Sequence, residues 1–356
     1  MKFLAPVVLL IAVMLPLLAQ NAGKERDETL RQYADARHFW VGTLIQGRFW
    51  NQDPRYKEVL GKEFNSAVSP VFMHVTQPAR GEFDFHAMDA QKQFAAEHHM
   101  KLFGAALIYR NDNSPDWLHF HAGPCGRWSA GDLDRVMQDH IENVVRHGGD
   151  AYWGWEVVNE PLAPSHNGCW GRVIGQDKMI VKAFRYARQA APAGTVLLLN
   201  ESFGQAGAAK DKVDDFFELL KKTRKMGAPI DAVGIEMHLE IDKLHPGYLE
   251  EFRYFLDQAR RAGVESHVTE MDVYQGSGPD GVTKQKEVFY NVARACLDDA
   301  NCKEFTVWGL SDAHTWLRTH KGEVDATPLL FDENYQRKPA YFGVLQAFRE
   351  TAQHAR

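Results

Sequence analysis

The chain has 356 residues, 45% of them apolar and 25% charged, with a net charge of −6. That balance is ordinary for a globular protein and excludes a disordered or fibrous chain. With no basic run and no zinc-type Cys/His spacing, the sequence offers no basis for nucleic-acid binding.

Met1-Lys2 leads into an apolar run from Leu4 to Ala19, which predicts a secretory signal peptide over residues 1–22. The run is too short and too poorly flanked for a good transmembrane helix. No Cys follows it, which argues against lipid attachment. Residues 23–356 are expected to form one domain, exported to the periplasm or the medium, monomeric, and free of the membrane once the signal is removed. Four Cys in an exported chain predict two disulfides. Cys296 and Cys302 close a short loop before a strand. Cys125 and Cys169 lie in two Gly-containing loops and are expected to pair with each other.

In chain order, strand-like runs fall at 40–45, 69–74, 101–109, 153–159, 195–200, 232–238, 266–272 and 305–310. Helical runs lie between most of them, at 86–98, 130–147, 177–191, 209–226, 246–262 and 282–298, with a last one at 340–349. In the third of these Ile180, Ala183, Phe184 and Ala187 share one face. The alternation predicts parallel βα units and, with eight strands, an α/β fold of the (β/α)8 TIM barrel type. No repeat, low-complexity tract or Ser/Thr/Pro linker suggests an appended module.

Chemistry in such a barrel sits after the strands. The run Tyr152 to Val158 is aromatic, Gly-containing and β-branched, ends in Asn159-Glu160, and is stopped by Pro161. A Glu at a strand's exit beside an amide donor is a candidate for acid/base work. Glu270 ends a second such run, with Asp272 two residues on. Either Glu alone reads equally as a surface carboxylate or half of an ion pair. Two at strand ends are what glycoside hydrolysis needs: Glu160 as acid/base and Glu270 as nucleophile. Glu236 and His238 end another strand. A His there can hydrogen-bond Glu270, and Asp272 can fix its tautomer; the competing reading is a satisfied core histidine. Trp308 and Trp316 flank the segment after the last strand, where exposed indoles stack on sugar rings and buried ones fill the core.

From about Phe39 to Phe348 the chain resembles glycoside hydrolase family 10, the β-1,4-xylanases. Trp155-Glu156-Val157-Val158-Asn159-Glu160 resembles that family's Trp-Asp-Val-Val-Asn-Glu, and Thr269-Glu270-Met271-Asp272 its Thr-Glu-Leu-Asp. Thr306-Val307-Trp308-Gly309 and the stretch from Thr327 to Tyr341 are similar to its C-terminal part, and Cys296 and Cys302 sit where many members have a disulfide. The resemblance implies a secreted retaining endo-β-glycosidase acting on a xylan-type polysaccharide or oligosaccharide, with no cofactor and no metal. Asn159, Glu160, His238, Glu270, Asp272, Trp308 and Trp316 carry over from it.

Three places depart. The family's Thr-Pro-Glu-Asn-x-Met-Lys-Trp corresponds to Ser69-Pro70-Val71-Phe72-Met73-His74-Val75, so the Glu and Asn that hold sugar become Val71 and Phe72, and the Lys becomes His74. Its third-strand sugar-binding His becomes Arg110 or Asn111, and its sixth-strand Gln becomes Glu236. His74, Arg110, Asn111 and Asn113 are therefore expected as replacement sugar-binding groups. The alternatives are a hydrolase of another or decorated β-linked glycan, and a non-catalytic glycan-binding barrel. Retention of both Glu160 and Glu270 argues against the second.

Overall fold

The computed structural model describes residues 28–121, 125–162 and 168–354. The signal peptide expected over 1–22 lies outside these residues. Eight parallel strands form a closed barrel in sequence order. They are β1 (Trp40–Leu44), β2 (Ser66–Pro70), β3 (Lys101–Ala105), β4 (Tyr152–Asn159), β5 (Val196–Ser202), β6 (Ala232–Glu240), β7 (Glu265–Tyr274) and β8 (Cys302–Val307). β1 pairs with both β2 and β8, so no sheet edge is left.

Helix α1 (Leu30–Ala36) precedes the barrel. The crossovers carry α2 (Pro54–Glu63), α3 (His86–Glu97), α4 (Ala130–Gly148), α5 (Gly168–Ile174), α6 (Gln176–Ala190), α7 (Lys210–Lys225), α8 (Tyr248–Ala262) and α9 (Gly281–Asp298), and α10 (Pro339–His354) follows β8. This is the (β/α)8 barrel expected from the alternation of runs. The helices form because each has one apolar face: in α6, Ile180, Ala183, Phe184 and Ala187 are all buried. Caps set their ends. Thr29 and Gln32 make a reciprocal box at the start of α1, Ser129 caps α4, and Gly263 in left-handed backbone ends α8.

The larger apolar layer packs between sheet and helices. A smaller one fills the barrel itself, with Val68, Phe103, Ala105, Leu198 and Ala232 packed against Trp153 and Trp308. At the foot, where the strands begin, Trp40 stacks on Trp153 and Trp153 on His267, with ring centres 4.9 and 5.7 Å apart. His267 is fully buried between Glu304 (2.9 Å) and Glu265 (3.3 Å). These side chains plug the foot and leave the cleft to the opposite end.

Strand limits differ from expectation by two or more residues in β2, β3 and β8, and β5, β6 and β7 run two residues past their expected ends. β2 begins three residues before the expected run and ends at Pro70, after which Met73–Thr76 forms a helical turn. β3 ends at Ala105, beyond which the Leu107 and Ile108 N–H groups donate to the carbonyls of Glu156 and Val157 and the Ile108 carbonyl accepts from Asn159 as an isolated bridge to β4. β8 also starts three residues early. At the C-terminal ends the apolar run marks burial at the barrel mouth, and burial outlasts the ladder: Val71, Leu107, Ile108 and Leu310 are buried beyond it. Both expected disulfides are present, Cys125–Cys169 and Cys296–Cys302. Among the described residues no helix is long and apolar enough to cross a membrane. The first and last described segments meet on the outer wall: Arg349 reaches Glu28 at 2.7 Å, and Phe348 packs edge-on to Phe39 just before β1.

Candidate active site

The C-terminal ends of the strands open into a cleft of about 640 Å³ that holds Asn159, Glu160, Glu236, His238, Glu270 and Asp272 together. Strand register explains the grouping. β6 and β7 place Glu236 beside Glu270 and His238 beside Asp272, just past a register shift between Ile235 and Glu236. Such irregularities re-aim side chains next to sites.

Asn200, at the end of β5, is the hub. Its amide N–H groups donate to Asn159 Oδ1 (3.0 Å), Glu236 Oε1 (3.1 Å) and Glu270 Oε1 (3.5 Å), and its carbonyl oxygen accepts from Thr269 Oγ1 (2.8 Å). Gly234 makes room for it, because a Cβ there would collide with the Asn200 side chain. His238 bridges the other side, with Nε2 3.2 Å from Glu270 Oε2 and Nδ1 3.0 Å from Asp272 Oδ2. Asp272 Oδ2 also accepts from the Trp316 indole at 2.6 Å. A chain of contacts therefore runs from Trp316 through Asp272 and His238 to Glu270.

Glu160 stands just past β4. Its backbone is left-handed, with φ +47°, and its N–H is held by the Asn200 carbonyl at 3.0 Å. A non-glycine residue there costs about 1–2 kcal/mol, a strain that recurs at functional sites. The Tyr109 hydroxyl donates to Glu160 Oε1 at 2.9 Å, and Arg110 Nη2 reaches both carboxylate oxygens at 3.1 and 3.2 Å.

Burial and like charge decide the protonation pattern. Glu236 is pushed up to about 8 by burial first and by Glu270 second, with His238 opposing. Glu156, on the cleft floor, is raised well above the carboxylate range by burial and by Glu270, Glu236 and Glu304. Glu270 is raised by burial, while its hydrogen bond to His238 and that ring's charge pull it down. Burial disfavours a charged His238, but Asp272 and Glu270 override it and raise its pKa well above the usual value. A charged His238 donates from both ring nitrogens, to Asp272 and to Glu270.

Trp308, Trp316 and Arg110 line the cleft. His74, Asn111 and Asn113 do not belong to its lining. β2 stops at Pro70, so His74 falls in the following turn and bonds the Asn113 carbonyl at 3.0 Å. Asn111 accepts the Cys169 N–H at 3.0 Å and so shapes the disulfide-linked loop. Phe72 and Tyr109 line the cleft instead, their rings stacked 6.2 Å apart. Asn200 and Tyr109 are the participants that sequence reasoning missed. Asn200-Glu201 at the end of β5 repeats the Asn159-Glu160 pair at the end of β4, which is the signal that marks it. Among the described residues, Glu236, His238 and Glu270 are the group whose ligand atoms, within 4.8 Å of one another, have the spacing to hold a metal ion. His238 already bonds Glu270 and Asp272.

A family model described as Glycosyl hydrolase family 10 matches residues 29–347. Endo-1,4-beta-xylanase B of Thermotoga neapolitana is 28% identical over 336 residues, covering 91% of this chain and 93% of its own. Endo-1,4-beta-xylanase 1 of Humicola insolens is 32% identical over 321 residues, covering 86% and 70%. In three dimensions the chain is similar to native xylanase 10B from Thermotoga maritima, with a TM-score of 0.81, 29% identity, and 92% of this chain and 100% of that one covered. It is also similar to xylanase 10B from Thermotoga petrophila RKU-1 in complex with xylobiose, with a TM-score of 0.80, 28% identity and coverage of 91% and 98%. The matched stretch takes in every strand of the barrel and both Glu160 and Glu270, and the chain belongs to glycosyl hydrolase family 10.

Proposed function

We propose that the chain is a secreted, retaining endo-1,4-β-xylanase in which Glu160 is the acid/base and Glu270 the nucleophile. The observation that carries this reading is the pair of donors on Glu270, His238 on one oxygen and Asn200 on the other, in a cleft shared with Glu160. Hydrogen bonds to a carboxylate favour its ionised form, which is the form that attacks an anomeric carbon. Glu160 first gives its proton to the leaving oxygen, and Glu270 forms the glycosyl-enzyme bond. Glu160 then takes a proton from water, which displaces Glu270 and restores the original anomeric configuration. Retention requires the two carboxyl groups to stand about 5–5.5 Å apart. The names of the relatives support xylan as the substrate class, and the apolar N-terminal run and two disulfides support export.

Glu270→Ala should abolish turnover, and azide should restore part of it as the inverted glycosyl azide. Glu160→Ala should spare substrates with good leaving groups far more than polysaccharide. An inverted first product, seen by NMR, would overturn the assignment. A second reading, in which the glycan is decorated or differently built, is favoured by Phe72, Tyr109 and Arg110 in the lining. Without replacement, about three lost sugar bonds cost about 2–5 kcal/mol in all. Unsubstituted linear xylo-oligosaccharides are then poor substrates.

A further inference from the structure

Arg110 is out of place in a cleft for neutral sugar. Its side chain lines the cleft, is 40% exposed, and lies 4.9 Å above the Tyr109 ring. Its ion pair among the described residues is with Glu160, and its Nε is buried with no hydrogen-bond partner among them. An acid that protonates a leaving oxygen must arrive carrying its own proton. A guanidinium 3.1 Å away favours the opposite, ionised state. Once Glu160 takes up a proton, Arg110 is left in the cleft wall without its ion partner. A sugar hydroxyl can accept a hydrogen bond from it but brings no charge. A carboxylate on the substrate brings both, and its planar pair of oxygens matches the guanidinium fork.

The rest of the cleft restricts where that carboxylate can sit. The titratable groups that line it are Tyr109 after β3, Glu156 on β4 and Glu160 just after it, Glu236 and His238 on β6, Glu270, Asp272 and Tyr274 on β7, and His314, His320 and Lys321 after β8. The floor is acidic, with His238 as the cation within it and Lys321 set apart over the Trp316 ring, so an anion is tolerated on the Arg110 wall and repelled from the Glu270 side.

We infer that Arg110 is a carboxylate-binding residue, and that the preferred substrate is a β-1,4-xylan chain bearing a uronic acid branch on a sugar beside the scissile bond. That branch takes the place of Glu160 on the guanidinium and lets Glu160 hold its proton. The inference rests on the chain being a xylan-cleaving hydrolase. The test uses xylo-oligosaccharides with a uronic acid branch and the same compounds with the carboxylate reduced to the alcohol, which keeps the shape and removes the charge. The wild-type enzyme should show kcat/KM about tenfold or more higher on the acid, the size of a charge-assisted pair. The alkaline limb of kcat should lie at higher pH with the acid than with its reduced form. Arg110→Gln should erase both differences. Equal kcat/KM on the two glycans with the wild-type enzyme would overturn the inference while leaving the hydrolase reading intact. Calorimetry with Glu270→Ala and the same pair needs no turnover. If neither glycan is cleaved the hydrolase reading fails, and carboxylate-dependent binding would then still support the role of Arg110. Binding that ignores the carboxylate would overturn it.

Discussion

Protonation decides what each buried carboxyl of the cleft does. Burial and the neighbouring Glu270 push Glu236 up to about 8, which makes it a neutral group beside Glu270 below neutrality. A neutral neighbour adds no repulsion to Glu270, whereas an ionised one would raise its proton affinity. Glu236→Gln keeps a neutral polar group and should leave the acid limb of kcat/KM within about half a pH unit of wild type. A clear downward move of that limb would show that Glu236 carries charge where the enzyme works. The individual residues differ in how readable they were. Glu160 and Glu270 stand out because a charge at the end of an apolar strand is costly to leave unexplained. Asn200 carries no charge and breaks no pattern, so its role as hub appears only when three other strands converge on it. Arg110 was readable as a departure in type, and its contact with Glu160 needed the loop geometry.

Among the elements, β7 and β8 are tied at the foot by His267 and Glu304 rather than by apolar packing alone. Burial works against charge on His267, but the hydrogen bonds its ring donates to Glu265 and Glu304 win and raise its pKa above the usual value. A raised folded pKa means that the stabilisation is fully present below the unfolded value and is lost as pH rises through the folded one. Removing the imidazole leaves Glu304 buried without its cation, so His267→Gln should cost about 3–5 kcal/mol at pH 6. The gap in Tm between variant and wild type should narrow at pH 9. A gap that does not change with pH would mean the pair is neutral. This foot cluster was invisible beforehand, because its members are spread over two strands and become a group only through pairing. The order of elements was legible because alternating runs accumulate over the whole chain. The ends of β2 and β3 were not, because the barrel mouth buries side chains that no ladder holds.

On the scale of the whole molecule, the two disulfides differ in reach, joining residues 44 and 6 apart. In the chain-entropy account the longer closure is worth about 4 kcal/mol and the shorter about 2. Replacing Cys125 and Cys169 by Ser should therefore lower the denaturant midpoint more than replacing Cys296 and Cys302. The reverse order would place the stabilisation in local packing instead. The meeting of the first and last described segments has its own consequence. Arg349 touches Glu28, and Phe348 packs on Phe39, on the side of the barrel away from the cleft. The covalent starting point of the polypeptide is thus mechanically incidental to the barrel. A circularly permuted gene that splices residue 354 to residue 28 through a short linker, and opens the exposed turn at Ala193-Gly194, should yield the same cleft from a rearranged reading order.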